Sequence, residues 1–185
     1  MSDSDIATKA TAVMKTSFKE RGQAKLDRLD QDEVQATCSK YESIDKLPKD
    51  VAAHLEKSQL ASIKYPADGK LLGDWKSGET IAQTGTGMQF SDDPAKPSGA
   101  NCYACHQLSP QEVSYGTIGP SLLGYGKVRG NSAEIQKYTY GKVYNPQAFA
   151  ACSNMPRFGH NHILTEKQMQ DVVALLLDPA SPVNK

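Results

Sequence analysis

Apolar residues recur at helical spacing near both ends of the chain, while the middle carries no such period. In "DIATKATAVMKTSFKERG", Ile6, Ala10, Val13, Met14 and Phe18 fall on one face and Gly22 closes the run. A second helix is predicted from "DQDEVQATCSKY", with Asp30 as N-cap and Glu33 at the capping-box position. A third is predicted in "LPKDVAAHLEKSQLASI", where Pro48 suits the first turn and Val51, Ala52 and Leu55 share a face. Pro66, Asp68-Gly69, Gly73 and Gly78 then break the pattern, and this stretch is read as the boundary between an N-terminal helical extension, 1–76, and a second unit, 77–185. That unit opens with a short helix around "ETIAQTGTGMQF" and a polar loop, "SDDPAKPSGA". It continues through a Gly- and Tyr-rich middle, read as wrapped loops and short helices. It closes on "LTEKQMQDVVALLLDP". There Thr165 and Gln168 form a capping box, Met169, Val172, Val173, Leu176 and Leu177 make a strong stripe, and Pro179 follows the end. No strand pattern and no repeat is visible, so the fold class expected is all-α.

Composition narrows the setting. The chain has 185 residues, of which 38% are hydrophobic, and a formal net charge of +0. The mean hydropathy is −0.53. A balanced charge gives no reason to expect nucleic acid or a membrane surface as partner. No run reaches the roughly 18 apolar residues of a spanning helix. The start, "MSDSDIATKA", lacks the basic end and apolar stretch of a signal peptide.

Candidate chemistry centres on "NCYACHQ". Cys102, Cys105 and His106 place two thiols and an imidazole on one turn. Three chemistries use such a set. Covalent haem attachment needs two thiols for the two porphyrin vinyl groups and a histidine as axial ligand. Structural zinc needs four ligands, and a second pair is missing because His160 and His162 in "HNH" have the wrong spacing. A redox dithiol wants a preceding strand, which "SDDPAKPSGA" is not. The haem reading demands a second axial ligand or an open position. "NMPRFGHNH" offers Met155, His160 and His162. Met155, in a loop before the last helix, is the preferred thioether, and the two histidines read as loop residues near the haem rim. Met14, Met88 and Met169 read as packing residues, and His54 as facing solvent. The carbonyl of Pro120 is a candidate acceptor for the Nδ1–H of His106, a plain turn being the other reading. Arg157 reads either as a partner for a haem propionate or as a solvated surface residue.

The order short helix, CxxCH at 102–106, "GPSL" at 119–122, "NMPRFG" and a closing amphipathic helix resembles a class I cytochrome c domain over roughly residues 77–178. The stretches "KYPADGKLLGDWKSGETIAQTGTGMQF", "CYACHQLSPQEVSYGTIGPSL" and "AFAACSNMPRFGHNHILT" are similar to the SoxX cytochrome family of the sulfur-oxidation system. That resemblance implies one c-type haem bound covalently by Cys102 and Cys105, with His106 and Met155 on the iron. It implies a SoxA partner in a heterodimer that couples thiosulfate to a cysteine of the carrier SoxYZ, the catalytic centre lying on SoxA and no catalytic residue on this chain. Electrons would pass from this subunit to a soluble cytochrome c. A stand-alone periplasmic electron carrier is the alternative function, and a ligand-binding haem protein with an open iron a third.

Haem attachment to CxxCH implies a periplasmic protein whose signal has been removed, and a disulfide persists there. Cys38 and Cys152 are the remaining cysteines, either paired with each other or present as two buried thiols.

Overall fold

A computed structural model describes residues 2–185. Its helices are α1 (Asp3–Ser17), α2 (Glu33–Cys38), α3 (Lys49–Ala61), α4 (Trp75–Gln83), α5 (Tyr125–Arg129), α6 (Ala133–Tyr144) and α7 (Glu166–Leu177). Short 3₁₀ turns lie between them, among them Cys102–Ala104 and Pro146–Ala148. Among the described residues the only β-type pairing is an isolated bridge between Arg21 and Ala24, so the protein is all-α as expected.

The last helix is the centre of the fold. Thr165 caps α7 as its T-x-x-Q pattern predicts: its hydroxyl accepts from the Gln168 N–H at 3.2 Å, and Gln168 Oε1 accepts from the Thr165 N–H at 3.0 Å. Met169 and every residue from Asp171 to Leu177 are buried, so the helix, exposed in its first turn at Glu166 and Lys167, is enclosed from Asp171 onward. Each fully buried Leu or Val there contributes about 1.5–3 kcal/mol of transfer free energy.

Across α7 lies α4, which opens earlier than the sequence suggested. Asp74 caps it by accepting from the N–H groups of Lys76 and Ser77. Gly78, expected to break the chain, sits inside it. A Cβ at Gly78 would stand 2.1 Å from the Asp171 carbonyl oxygen and 3.0 Å from Leu175 Cβ. Glycine therefore lets the two helix backbones touch. Asp171, buried, accepts from the Asp74 N–H at 2.7 Å and pairs with Lys167, which ties the start of α4 to α7.

The middle, expected as wrapped loops and short helices, contains the twelve-residue α6. Thr139, Tyr140, Gly141, Val143 and Tyr144 are all buried in it. A helix enclosed on most sides, with a glycine inside, shows no clear apolar stripe.

The extension behaves in two ways. Its α2 and α3 build a second small core, in which Val34, Leu55 and Ala151 are buried with Val51 and Ala52 packed against them. A buried amide pair, Asn145 Nδ2 donating to Gln59 Oε1 at 2.9 Å, ties α3 to the end of α6. The N-cap of α2 is Asp32, with Gln35 completing the box, rather than Asp30 and Glu33. Asp30 instead pairs with Lys15 at 2.7 Å. In contrast, α1 keeps its apolar face largely in water: Ile6, Val13 and Phe18 are exposed and Met14 is half-buried. Met88 is exposed too, so neither methionine is a core residue, whereas Met169 is. His54 faces solvent as expected.

Candidate functional site

The Cys-Cys-His motif is held on both flanks by backbone hydrogen bonds. Ahead of it, the Ala100 N–H donates to the Ile81 carbonyl at 3.0 Å and the Asn101 N–H to the Thr84 carbonyl at 2.9 Å, which hangs the motif from the end of α4. Asn101 adopts φ 45°, a left-handed conformation that asparagine tolerates better than most side chains. The chain then turns tightly, the N–H groups of Cys105 and His106 both donating to the Cys102 carbonyl, at 3.1 and 2.9 Å. Beyond the motif the chain returns alongside it. The N–H groups of Gly116, Gly119 and Leu122 donate to the carbonyls of Tyr103, Cys105 and Gln107, each at 2.8 Å.

That return strand places the proximal contact. Nδ1 of His106 lies 2.7 Å from the Pro120 carbonyl oxygen. A carbonyl can only accept, so Nδ1 carries the proton and Nε2 keeps its lone pair. Gly119 lies against the ring: a Cβ there would stand 2.1 Å from His106 Cε1 and 2.5 Å from Nδ1. Sequence reasoning singled out Pro120 and missed Gly119, although it is the neighbouring residue of the same "GPSL".

Cys102 and Cys105 are free thiols, each partly accessible, and Cys102 packs against the main core. Burial pushes the Cys102 thiol up to about 12. An attacking cysteine in a redox pair has its thiol pushed the other way. Among the described residues no group of three or more His, Cys, Asp or Glu side chains could hold a metal ion.

Met155 sits in the irregular loop between the Pro146–Ala148 turn and α7, half-buried and packed against the main core. Its N–H donates to Ser153 Oγ at 3.2 Å, and Gln147 Nε2 donates to the Ser153 carbonyl at 2.7 Å. Cys152, three residues earlier, is bonded to Cys38, with the Cα atoms 5.6 Å apart.

Arg157 is neither solvated nor free. It is 7% exposed, and its Nη2 donates to Asp32 Oδ2 of the extension. Nη1 is buried with no hydrogen-bond partner, as is Oε1 of Gln147. Both residues line a cleft of about 470 Å³ together with Met155 and the disulfide. Burial works to raise the Asp32 carboxyl, but the Gln35 N–H and the Arg157 guanidinium outweigh it and hold the group below its ordinary value. His160 is half-buried in the field of Arg157, Asp32 and His162, while His162 is exposed. Burial and the Arg157 cation push the His160 imidazole down. No helix is long and apolar enough to cross a membrane among the described residues.

Comparison with known proteins gives three findings. The cytochrome c family model matches residues 95–178. A protein of Aquifex aeolicus (strain VF5), described as an uncharacterized lipoprotein, is 42% identical over 158 residues, covering 84% of this chain and 73% of that protein. Among solved structures, SoxXA from P. pantotrophus is 23% identical with a TM-score of 0.42, over 64% of this chain and 95% of that one.

Proposed function

For a chain that belongs to one family with the Aquifex lipoprotein and carries a cytochrome c domain over residues 95–178, we propose the role of a monohaem electron-transfer subunit of SoxX type. A cytochrome c domain implies a covalently bound c-type haem, and the residues present fit one. Two free thiols are separated by two residues, and His106 is already turned to offer one nitrogen. Cys102 and Cys105 would form the thioether links. His106 would ligate the iron through Nε2 and Met155 through its sulfur. When bound, the group supplies a reversible one-electron couple. The single observation carrying this reading is the 2.7 Å contact between His106 Nδ1 and the Pro120 carbonyl, which leaves the imidazole one available lone pair, beside the two cysteines.

This chain's own contribution is to fix and seal. The Pro120 carbonyl holds the His106 tautomer and the orientation of its ring. With His106 and Met155 both on the iron, no coordination position would remain for a substrate, and a thioether would favour the reduced state over a harder ligand. The work left to such a site is to take and release electrons. On the resemblance to the SoxX family, the electrons arise on a SoxA partner that joins thiosulfate to a SoxYZ cysteine, and leave to a soluble cytochrome c. The Cys38–Cys152 bond supports a periplasmic setting, because disulfides persist outside the reducing cytoplasm. The description of the Aquifex relative as a lipoprotein is in keeping with export. The division into an extension, 1–76, and a haem domain, 77–185, is retained as part of the proposal, its boundary falling in the first turn of α4.

Protein matured in a host able to attach haem tests the reading. Its mass should exceed the polypeptide mass by one haem, and Met155→Ala should abolish the thioether–iron charge-transfer band of the oxidised protein. The bare polypeptide mass would overturn the haem assignment. Co-purification with a second haem-bearing chain separates the SoxA-partnered role from a stand-alone carrier.

A further inference from the structure

We propose that α2 of the N-terminal extension is a splint for the loop that carries Met155, with Asp32 and Cys38 as its two positioning residues. The proposal rests on the reading of Met155 as an iron ligand. Asp32 is the N-cap of α2 and Cys38 its last residue, so they mark the two ends of one short rigid rod. On the facing loop, Cys38 is bonded to Cys152 and Asp32 pairs with Arg157. The two segments therefore run antiparallel and are fastened at both ends, with Met155 between the fastenings. Val34, the second residue of α2, is 2% exposed and packs with Leu55 and Ala151, which seats the rod on α3. A third tie comes from α3, where Glu56 Oε1 accepts from the Ala151 N–H at 3.1 Å.

Between the fastenings the loop and α2 together line a cleft. The 470 Å³ cleft lies there, with Gln31, Gln35 and Ser39 on the side of the extension and Asn154, Met155 and Pro156 on that of the loop. The hydrogen bonds at Ser153 and Met155 are local, to Gln147 and Ser153. The loop thus faces the cleft on the α2 side while Met155 packs against the main core, and its ties to α2 lie at its two ends. Cys152 also holds φ 60°, a conformation that a non-glycine residue keeps when its surroundings enforce it. Arg157 is buried, so without Asp32 its cation would lack its ion-pair partner and the loop end would move toward water.

The test uses the full haem-loaded chain and two variants, Asp32→Asn and Cys38→Ala/Cys152→Ala. Asparagine still caps a helix, so Asp32→Asn removes the ion pair while leaving α2 capped. Imidazole binding to the oxidised protein is measured by titration, and hydrogen exchange is followed at amides 152–157. A released thioether exposes the iron more often, so both variants should bind imidazole about tenfold tighter or more. Exchange in the loop should quicken, and Asp32→Glu should restore the wild-type affinity. Affinities within about twofold of wild type for both variants would overturn the proposal, whatever the exchange rates show. If wild type and Met155→Ala bind imidazole equally, Met155 is not the ligand. That result sinks the axial assignment, and with it the splint's role.

Discussion

Removing the Cys38–Cys152 bond should be the costliest small change to this protein's stability. The two cysteines are 114 residues apart in sequence, so the bond closes a loop holding most of the domain. In the chain-entropy model a loop of that size restricts the unfolded chain by about 5 kcal/mol at 25 °C. Whole domains are stable by only about 5–15 kcal/mol, so a third or more of the total is at stake. Alanine is the replacement of choice, because both sulfurs lie beside the Val34, Leu55 and Ala151 core and a serine hydroxyl there would lose water. The assay is urea unfolding of the haem-loaded protein, followed by far-ultraviolet circular dichroism. With a slope of about 2 kcal/mol per molar, Cys38→Ala/Cys152→Ala should lower the midpoint by about 2.5 M. Wild type in reductant should follow the variant. A fall of less than about 0.5 M at unchanged slope would refute the reasoning, because the tie would then constrain nothing that the rest of the fold does not already constrain.

Two other substitutions probe the site from either side. Gly119→Ala brings a methyl to within 2.1 Å of the His106 ring and should push it off the Pro120 carbonyl; the expected result is a lower fraction of haem-loaded chains by mass spectrometry, with native-like helix content. The Asp32 carboxyl is held below its ordinary value in the folded protein, so below that value the unfolded chain binds the extra proton first and stability falls as pH drops. Asp32→Asn should flatten the acid limb of a thermal-stability profile below about pH 4, and an unchanged limb would show that the Arg157 pair is not linked to folding.

Features written within a few residues were legible from the chain alone. The turn at Cys102–His106, the capping box Thr165–Gln168 and the burial of Met169, Val172, Val173, Leu176 and Leu177 follow from spacing. The contact of the Pro120 carbonyl with His106 was readable too, because a return loop so close in sequence has few places to go. These depend on local hydrogen-bond and rotamer chemistry, which the order of residues states directly.

Tertiary structure decided the rest. Asp32 caps α2 through a local box with Gln35, and tertiary structure adds what the sequence does not show, an ion pair of Asp32 with Arg157 and of Asp30 with Lys15. Gly78 reads as a breaker until α7 lies across it, and α6 shows no clear apolar stripe because its second half is buried on most sides. Ile6, Val13 and Phe18 show the same period as a core helix, yet α1 keeps them in water. A period records that a face could be buried. Which faces meet depends on contacts between residues a hundred positions apart, such as Asp74 with Asp171, and no window of sequence contains both.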